Sequence, residues 1–204
     1  MAEKVWVTDA MVSLESTYHF APYETYFDEF LIENRRRHAK YYRAERLEPS
    51  ERRPGEAELL RVTKNTIDPL PHILANSYLI VSDQVRETAQ QFELGSTAFD
   101  PVVLYGFRRK YRFDPDYNYL NITETKASVI LEKCKDIRSR LAGDWNFALP
   151  ESQIAVNKAA LAGVDLWMEP ILLGAVFMSD ALYTALNEQN LLKRTRFARC
   201  TITD

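Results

Sequence analysis

Among the residues that could do chemistry, two adjacent pairs stand out: Ser82-Asp83 and Ser179-Asp180. A serine beside a carboxylate suggests a nucleophile with a neighbouring acid. Each pair, however, follows an apolar run and precedes a helical apolar stripe. The runs are Tyr78-Leu79-Ile80-Val81 and Ala175-Val176-Phe177-Met178. In that position the serine hydroxyl accepts from the free amides of a helix's first turn, and the aspartate complements the positive end of the dipole. Both pairs are therefore expected to cap helices. His19, His38 and His72 have no metal-binding spacing. There is no GxSxG, P-loop or GxGxxG, and six glycines leave little room for a phosphate cradle. Cys134 and Cys200 form no CxxC and are expected to be reduced core fillers. These readings point to a protein that is not an enzyme and takes no metal or cofactor.

Two stretches have the make-up of a binding surface. In 111–119, Tyr111, Phe113, Tyr117 and Tyr119 interleave with Asp114 and Asp116. That pattern suits rigid aromatic anchors with an acidic rim. In 18–30, several aromatics accompany Glu24, Asp28 and Glu29. The candidate partner-binding residues are thus Asp114, Asp116, Tyr117, Tyr119, Glu24 and Asp28. The basic runs Arg35-Arg36-Arg37 and Arg108-Arg109-Lys110 have acidic neighbours, so nucleic acid is not an expected partner.

The elements that must position these residues follow from pattern. Val5 to Thr8 is expected to be an opening strand. The segment 47–57, with two prolines and a glycine, is expected to be a linker, which suggests an N-terminal extension or subdomain at 1–70 and a main unit at 71–204. The first unit runs strand, Ser82-Asp83, helix with Val85, Ala89 and Phe92 inward, a stop at Gly95, then a strand from Phe99 to Tyr105 with Pro101 at an edge or bulge. Residues 120–123 are expected to be a strand, 128–140 a helix, 152–157 and 165–168 strands. The second unit repeats the first: strand, Ser179-Asp180, helix with Leu182 and Leu186 inward, a stop at Asn190, and a strand from Phe197 to Ile202. Phe197 corresponds to Phe99 after one inserted residue. This is either a duplication or two similar elements meeting in one core. Trp167, in an apolar strand, is expected to pack in the core.

A chain of 204 residues with 46% hydrophobic and 27% charged residues can build a sizeable core. A net charge of −3 gives no electrostatic footprint for nucleic acid. The N-terminus has no apolar signal-peptide region, and no window approaches the ~18 apolar residues that cross a bilayer. A cytoplasmic protein without membrane contact is expected.

The stretch 76–202 resembles the Imm11 family of bacterial immunity proteins. Three features carry the resemblance. The first is Tyr78-Leu79-Ile80-Val81-Ser82-Asp83 leading to Phe99-Asp100-Pro101-Val102. The second is Tyr119-Leu120-Asn121-Ile122. The third, and most specific, is Val164-Asp165-Leu166-Trp167 with Gly174-Ala175-Val176-Phe177-Met178-Ser179-Asp180-Ala181-Leu182 and the later Phe197. The first 70 residues match less clearly. The resemblance implies a member of a polymorphic toxin system that neutralises a cognate toxin by binding it, and it supplies no catalytic residues. The expected fold is α+β, a mostly antiparallel mixed sheet with packed helices and two similar strand-helix-strand units. The alternative is a small-molecule-binding or regulatory module that uses the cleft between the two units.

Overall fold

The structure, a computed structural model, describes residues 4–12, 20–22, 36–47, 55–59, 70–75, 78–139 and 144–204. In chain order the strands are β1 (Val5–Thr8), β2 (Phe20–Pro22), β3 (Glu56–Leu59), β4 (Ile73–Ala75), β5 (Leu79–Ser82), β6 (Ala98–Tyr105), β7 (Tyr117–Asn121), β8 (Arg138–Ser139), β9 (Trp145–Asn146), β10 (Ala155–Asn157), β11 (Leu166–Met168), β12 (Val176–Ser179), β13 (Ala198–Arg199) and β14 (Thr201–Thr203). The helices are α1 (36–42), α2 (Asp83–Ala89) and α3 (Asp180–Glu188). The fold is α+β and mostly sheet. One sheet has the order β2-β3-β6-β7-β5-β4 and the other β11-β12-β1-β13, with two small pairs, β10-β14 and β8-β9, beside them. Among the described residues no helix is long and apolar enough to cross a membrane.

The two Ser-Asp units are the same construction. The run β4-β5-β7-β6 in one sheet and β11-β12-β1-β13 in the other have the same order, and every neighbouring pair in both is antiparallel. Ser82 and Ser179 have nearly the same backbone, φ −67 and ψ 160 against φ −65 and ψ 160. Each caps its helix as expected: Val85 N donates to Ser82 Oγ at 3.4 Å and Leu182 N to Ser179 Oγ at 3.2 Å. The amide of each serine bonds the strand before it, Ser82 N to His72 O at 2.9 Å and Ser179 N to Asp165 O at 3.0 Å. The amide of each aspartate bonds the strand beside it, Asp83 N to Asp116 O at 2.9 Å and Asp180 N to Lys4 O at 3.1 Å. Asn118 Nδ2 donates to Asp83 Oδ1 at 2.7 Å, and Trp6 Nε1 donates to Asp180 Oδ1 at 2.9 Å. Strand register also makes Phe99 and Phe197 equivalent, because Pro101 faces Asn118 where Arg199 faces Trp6.

Residues 1–70 contribute to both sheets. β1 lies between β12 and β13, and β3 pairs in parallel with β6. The far end of the expected linker is therefore strand: Ala57, in β3, is 1% exposed. β3 first meets β6 at Glu56 opposite Val103, so Pro101 lies beyond its end, where a missing amide costs no ladder bond.

Three expectations need correction. The helix expected at 128–140 is absent over the described part, 128–139, which holds one 3-10 turn, Leu131–Lys133, and a bend at Asp136, φ 56, among otherwise irregular, bridge and strand residues. Its amides are spent sideways: Ser128 N and Val129 N bond the Glu169 carboxylate, Ile130 N bonds Ala155 O, and Lys135 N bonds Gln153 O. Those bonds replace the i→i−4 ladder. The first-unit helix ends at Ala89, six residues before Gly95. Gly95 instead takes a left-handed loop conformation, φ +59. In the second unit Asn190, φ 60, does stop the helix, standing just past its C-cap Gln189. The last strand splits at Cys200 into β13, on β1, and β14, parallel to β10.

Each sheet is covered on both faces. The faces that meet each other bury Val81, Val85 and Leu120 from one unit against Met178, Leu182 and Leu186 from the other. The far face of the second sheet carries Val5, Val7, Trp167 and Phe177 under Phe147, Leu149, Ile154 and Val156. Trp167 is fully buried, as expected of a core residue, and stacks on Phe177 at 5.7 Å. The far face of the first sheet packs Tyr78 and Tyr119 under Tyr41 of α1.

Candidate partner-binding surface

The stretch 111–119 divides at the start of β7. Tyr117 and Tyr119 are 2% and 5% exposed. The Tyr117 hydroxyl donates to the carbonyls of Leu70 and Pro71, both at 3.3 Å. These two residues are core and cannot meet a partner, which corrects the expectation that they are interface anchors. Asp116 is exposed but already pairs with Arg112. Asp114 is exposed. Glu24 and Asp28 lie outside the described residues.

What remains at the surface is the excursion between β6 and β7, residues 106–116. Tyr111 is 43% exposed, the most open of the large hydrophobic side chains among the described residues. Its ring lies over Gly106, where a Cβ would stand 2.4 Å from Tyr111 Cζ, so only glycine lets the ring settle there. Phe113, buried, meets the Tyr111 ring edge-on at 5.0 Å. Beneath Tyr111 the chain makes a 3-10 turn, Phe107–Arg109, in which Arg108 and Arg109 have φ 56 and φ 50. Two consecutive non-glycine residues in the left-handed region cost about 1–2 kcal/mol each.

That strain is held by β3. Arg108 N donates to Glu58 Oε1 at 2.6 Å. Arg109 Nη2 donates to Glu56 Oε2 at 2.8 Å, and its guanidinium covers the Tyr105 ring at 3.9 Å. The Glu56 bond, followed by Tyr105, holds the guanidinium pKa above its ordinary value. Sequence reasoning saw the aromatics of this loop but not its brace, because Glu56 and Glu58 are about fifty positions away and come together with it only through the parallel β3–β6 pairing. The exposed charges of the excursion are therefore of both signs, Asp114 among them. Arg108, whose guanidinium lies over the Phe107 ring at 5.2 Å, and Lys110 precede Tyr111 in the chain, and neither has an ion pair among the described residues.

Other chemical groupings are structural. His72 Nδ1 lies 2.9 Å from Ser82 Oγ, a spacing that resembles a base and nucleophile. Ser82 is 0% exposed and its oxygen already caps α2, so no substrate reaches it. Burial lowers the pKa of His72 and favours the neutral ring. Glu169, 3% exposed, is raised by burial against the opposing pull of its bonds from Ser128 and Val129; it ties 128–129 to the end of β11. Lys126 Nζ sits 3.7 Å over the Trp167 ring and donates to Val164 O at 2.7 Å, and burial lowers its pKa. Among the described residues no three His, Cys, Asp or Glu side chains converge as a metal site would require. Cys134 and Cys200 are free thiols.

No family model matches the chain, and no curated protein matches it.

Proposed function

We propose that this chain is an immunity protein that binds and neutralises a cognate bacterial toxin, without catalysis of its own. The observation that supports the reading most is the strained, braced excursion 106–116. Backbone strain concentrates where a conformation is needed for function. Here it shapes the loop that carries the exposed Tyr111, with Arg108 and Lys110 just before it in the chain. A pre-shaped aromatic anchor with a charged rim is the composition of a protein-interface hot spot, and pre-shaping lowers the ordering cost of binding. The resemblance of 76–202 to immunity proteins supplies the class of partner. Arg108 and Lys110 favour an acidic patch opposite Tyr111.

The alternative reading, a ligand in the cleft between the two units, finds little room. That space is an apolar void of about 30 Å³, large enough for one water and lined by side chains that would not hold it.

The test is co-expression with the toxin encoded beside this gene, with pulldown and growth as readouts. Tyr111→Ala is expected to weaken binding about 30-fold or more, the effect of losing ~2 kcal/mol at a hot spot. Arg108→Glu with Lys110→Glu is expected to weaken it without touching the ring. Absence of binding and of growth rescue by the wild-type chain sinks the proposal.

A further inference from the structure

The near-equivalence of the two units supplies an internal control: one backbone construction, two surfaces. Along α2 and just past its end the exposed positions are Gln84, Glu87 and Gln91, with Thr88 buried between them; the equivalent positions of α3 are the exposed Ala181, Thr184 and Glu188 and the half-buried Ala185. The helices touch each other, and there the exchange recurs. Thr88 Oγ1 donates to Gln84 O at 2.9 Å and shares that hydrogen with Gln189 Oε1 at 3.2 Å, whereas the equivalent of Gln189 beside Ala185 is Phe92. The α2 face is thus polar and closed by hydrogen bonding. The α3 face is a groove of about 650 Å³ with alanines on its floor. Phe92 forms one wall, and Leu161, 36% exposed, forms another. Among the described residues its charged groups are Asp165, Asp180 and Glu188 against Lys4.

We infer that the groove along α3 is a docking site for a short amphipathic helix of a protein partner, with an apolar stripe and flanking lysines or arginines. Two alanines one turn apart let a second helix approach at the close end of the usual 8–10 Å range. Phe92 and Leu161 then cover the stripe of the incoming helix. Asp165, Asp180 and Glu188 all line the groove, so cations on the helix meet carboxylates, Asp165 with one oxygen already accepting from Glu93 N at 3.0 Å. Asp180 cannot supply all of this, because Trp6 Nε1 and Lys4 already engage it. Glu188, exposed and without an ion pair among the described residues, is the strongest single attraction. α3 is nine residues long, about 13 Å, which sets the contact at two to three turns of the partner. This surface does not include Tyr111, and the inference stands whether or not the partner is a toxin.

The probe is a synthetic 16-residue helix with leucines on one face and lysines on its flanks. The comparison peptide has glutamate at every lysine. Titration of the full-length protein, followed by amide chemical shifts, is expected to show the lysine peptide binding in the micromolar range with shifts confined to α3, Phe92 and Leu161. Ala185→Arg is expected to weaken it at least tenfold. Glu188→Lys, which leaves the floor intact, is expected to weaken it severalfold at low salt. Gln84→Arg, the matching change on α2, is expected to leave it unchanged. The inference is overturned if the two peptides bind alike, if the shifts map elsewhere, or if Glu188→Lys has no effect in a folded protein. A toxin that binds wild type and Ala185→Arg equally leaves the immunity reading standing while removing its partner from this groove.

Discussion

The paired caps offer a test with its own replicate. Ser82 and Ser179 share backbone angles and each accepts one amide from its helix. Replacing a capping serine by alanine costs about 1 kcal/mol. For Ser179→Ala that is the whole expected loss, since its hydroxyl is only partly buried and has no other partner among the hydrogen bonds described. Ser82 also faces His72 Nδ1 at 2.9 Å and is itself 0% exposed. Ser82→Ala leaves that nitrogen unpaired, adding about 1 kcal/mol, for a total of about 2 kcal/mol. In a domain of this length one kcal/mol corresponds to roughly 2–4 °C in Tm. The expected depressions are therefore about 2–4 °C for Ser179→Ala and about 4–8 °C for Ser82→Ala. Urea unfolding, with unchanged m, measures the same difference. A cycle of Ser82→Ala with His72→Asn isolates the side-chain contact, with an expected coupling near 1 kcal/mol. Equal losses from the two serines, or no coupling in the cycle, would refute the assignment of His72 as the extra partner.

Two further outcomes follow from the same geometry. Burial lowers the folded-state pKa of His72, so its protonation opposes folding; the stability it contributes is present above the unfolded value of about 6.5 and is lost as pH falls from there through the folded value. Urea midpoints between pH 7.5 and 5 should decline, and His72→Gln should flatten part of that decline; a profile unchanged by the substitution contradicts the account. Gly95→Ala is expected to cost about 1–2 kcal/mol, because φ is +59 and the new Cβ would stand 2.3 Å from Glu124 Oε1. Glu124 must then give up Ser96 N and Ser96 Oγ, both at 2.7 Å, and its pKa, now lowered by those two bonds, should return toward the ordinary carboxylate range in a carboxyl-carbon NMR titration.

The sequence displayed what is local. Serine before aspartate after an apolar run is enough to place a cap, and both caps are where the pattern puts them. Trp167 and the Phe99–Phe197 correspondence were legible for the same reason. The tyrosines of β7 were not. That strand, Tyr117–Asn121, is buried at every position because α1 covers one face of its sheet and the second unit covers the other. A strand buried on both faces usually reads as an apolar run; this one contains Asn118 and Asn121, and Asn118 spends its amide on Asp83. Polar letters made a core strand look like an exposed loop. Segment 128–140 failed in the opposite sense. Its apolar residues fit a helical stripe, but the partners that claim its amides, Glu169 and the neighbourhood of β10, are distant in sequence.

The order of strands explains why the repeat was only half visible. In the first unit the strand beside β5 is β7, which follows the helix; in the second the strand beside β12 is β1, the chain's opening strand. A linear alignment of the two units therefore covers strand, cap, helix and closing strand but misses the strand between them, where in space the match continues through Asn118 and Trp6, Asp116 and Lys4. The equivalence holds where the units meet and lapses where they face solvent. Facing pairs such as Val85 and Leu182, or Val81 and Met178, keep their apolar character because each must fill the same shared core. Outward pairs obey no such demand. There Arg86, bonded to Asp83 at 3.3 Å, is replaced by Tyr183, stacked on Trp6 at 3.7 Å, and Gln84 by Ala181. Packing accounts for the first exchange, because Tyr183 lies against the Trp6 ring where Arg86 lies against the Asp83 carboxylate; at Gln84 and Ala181, both exposed, the shared core sets no requirement and the two units are free to differ.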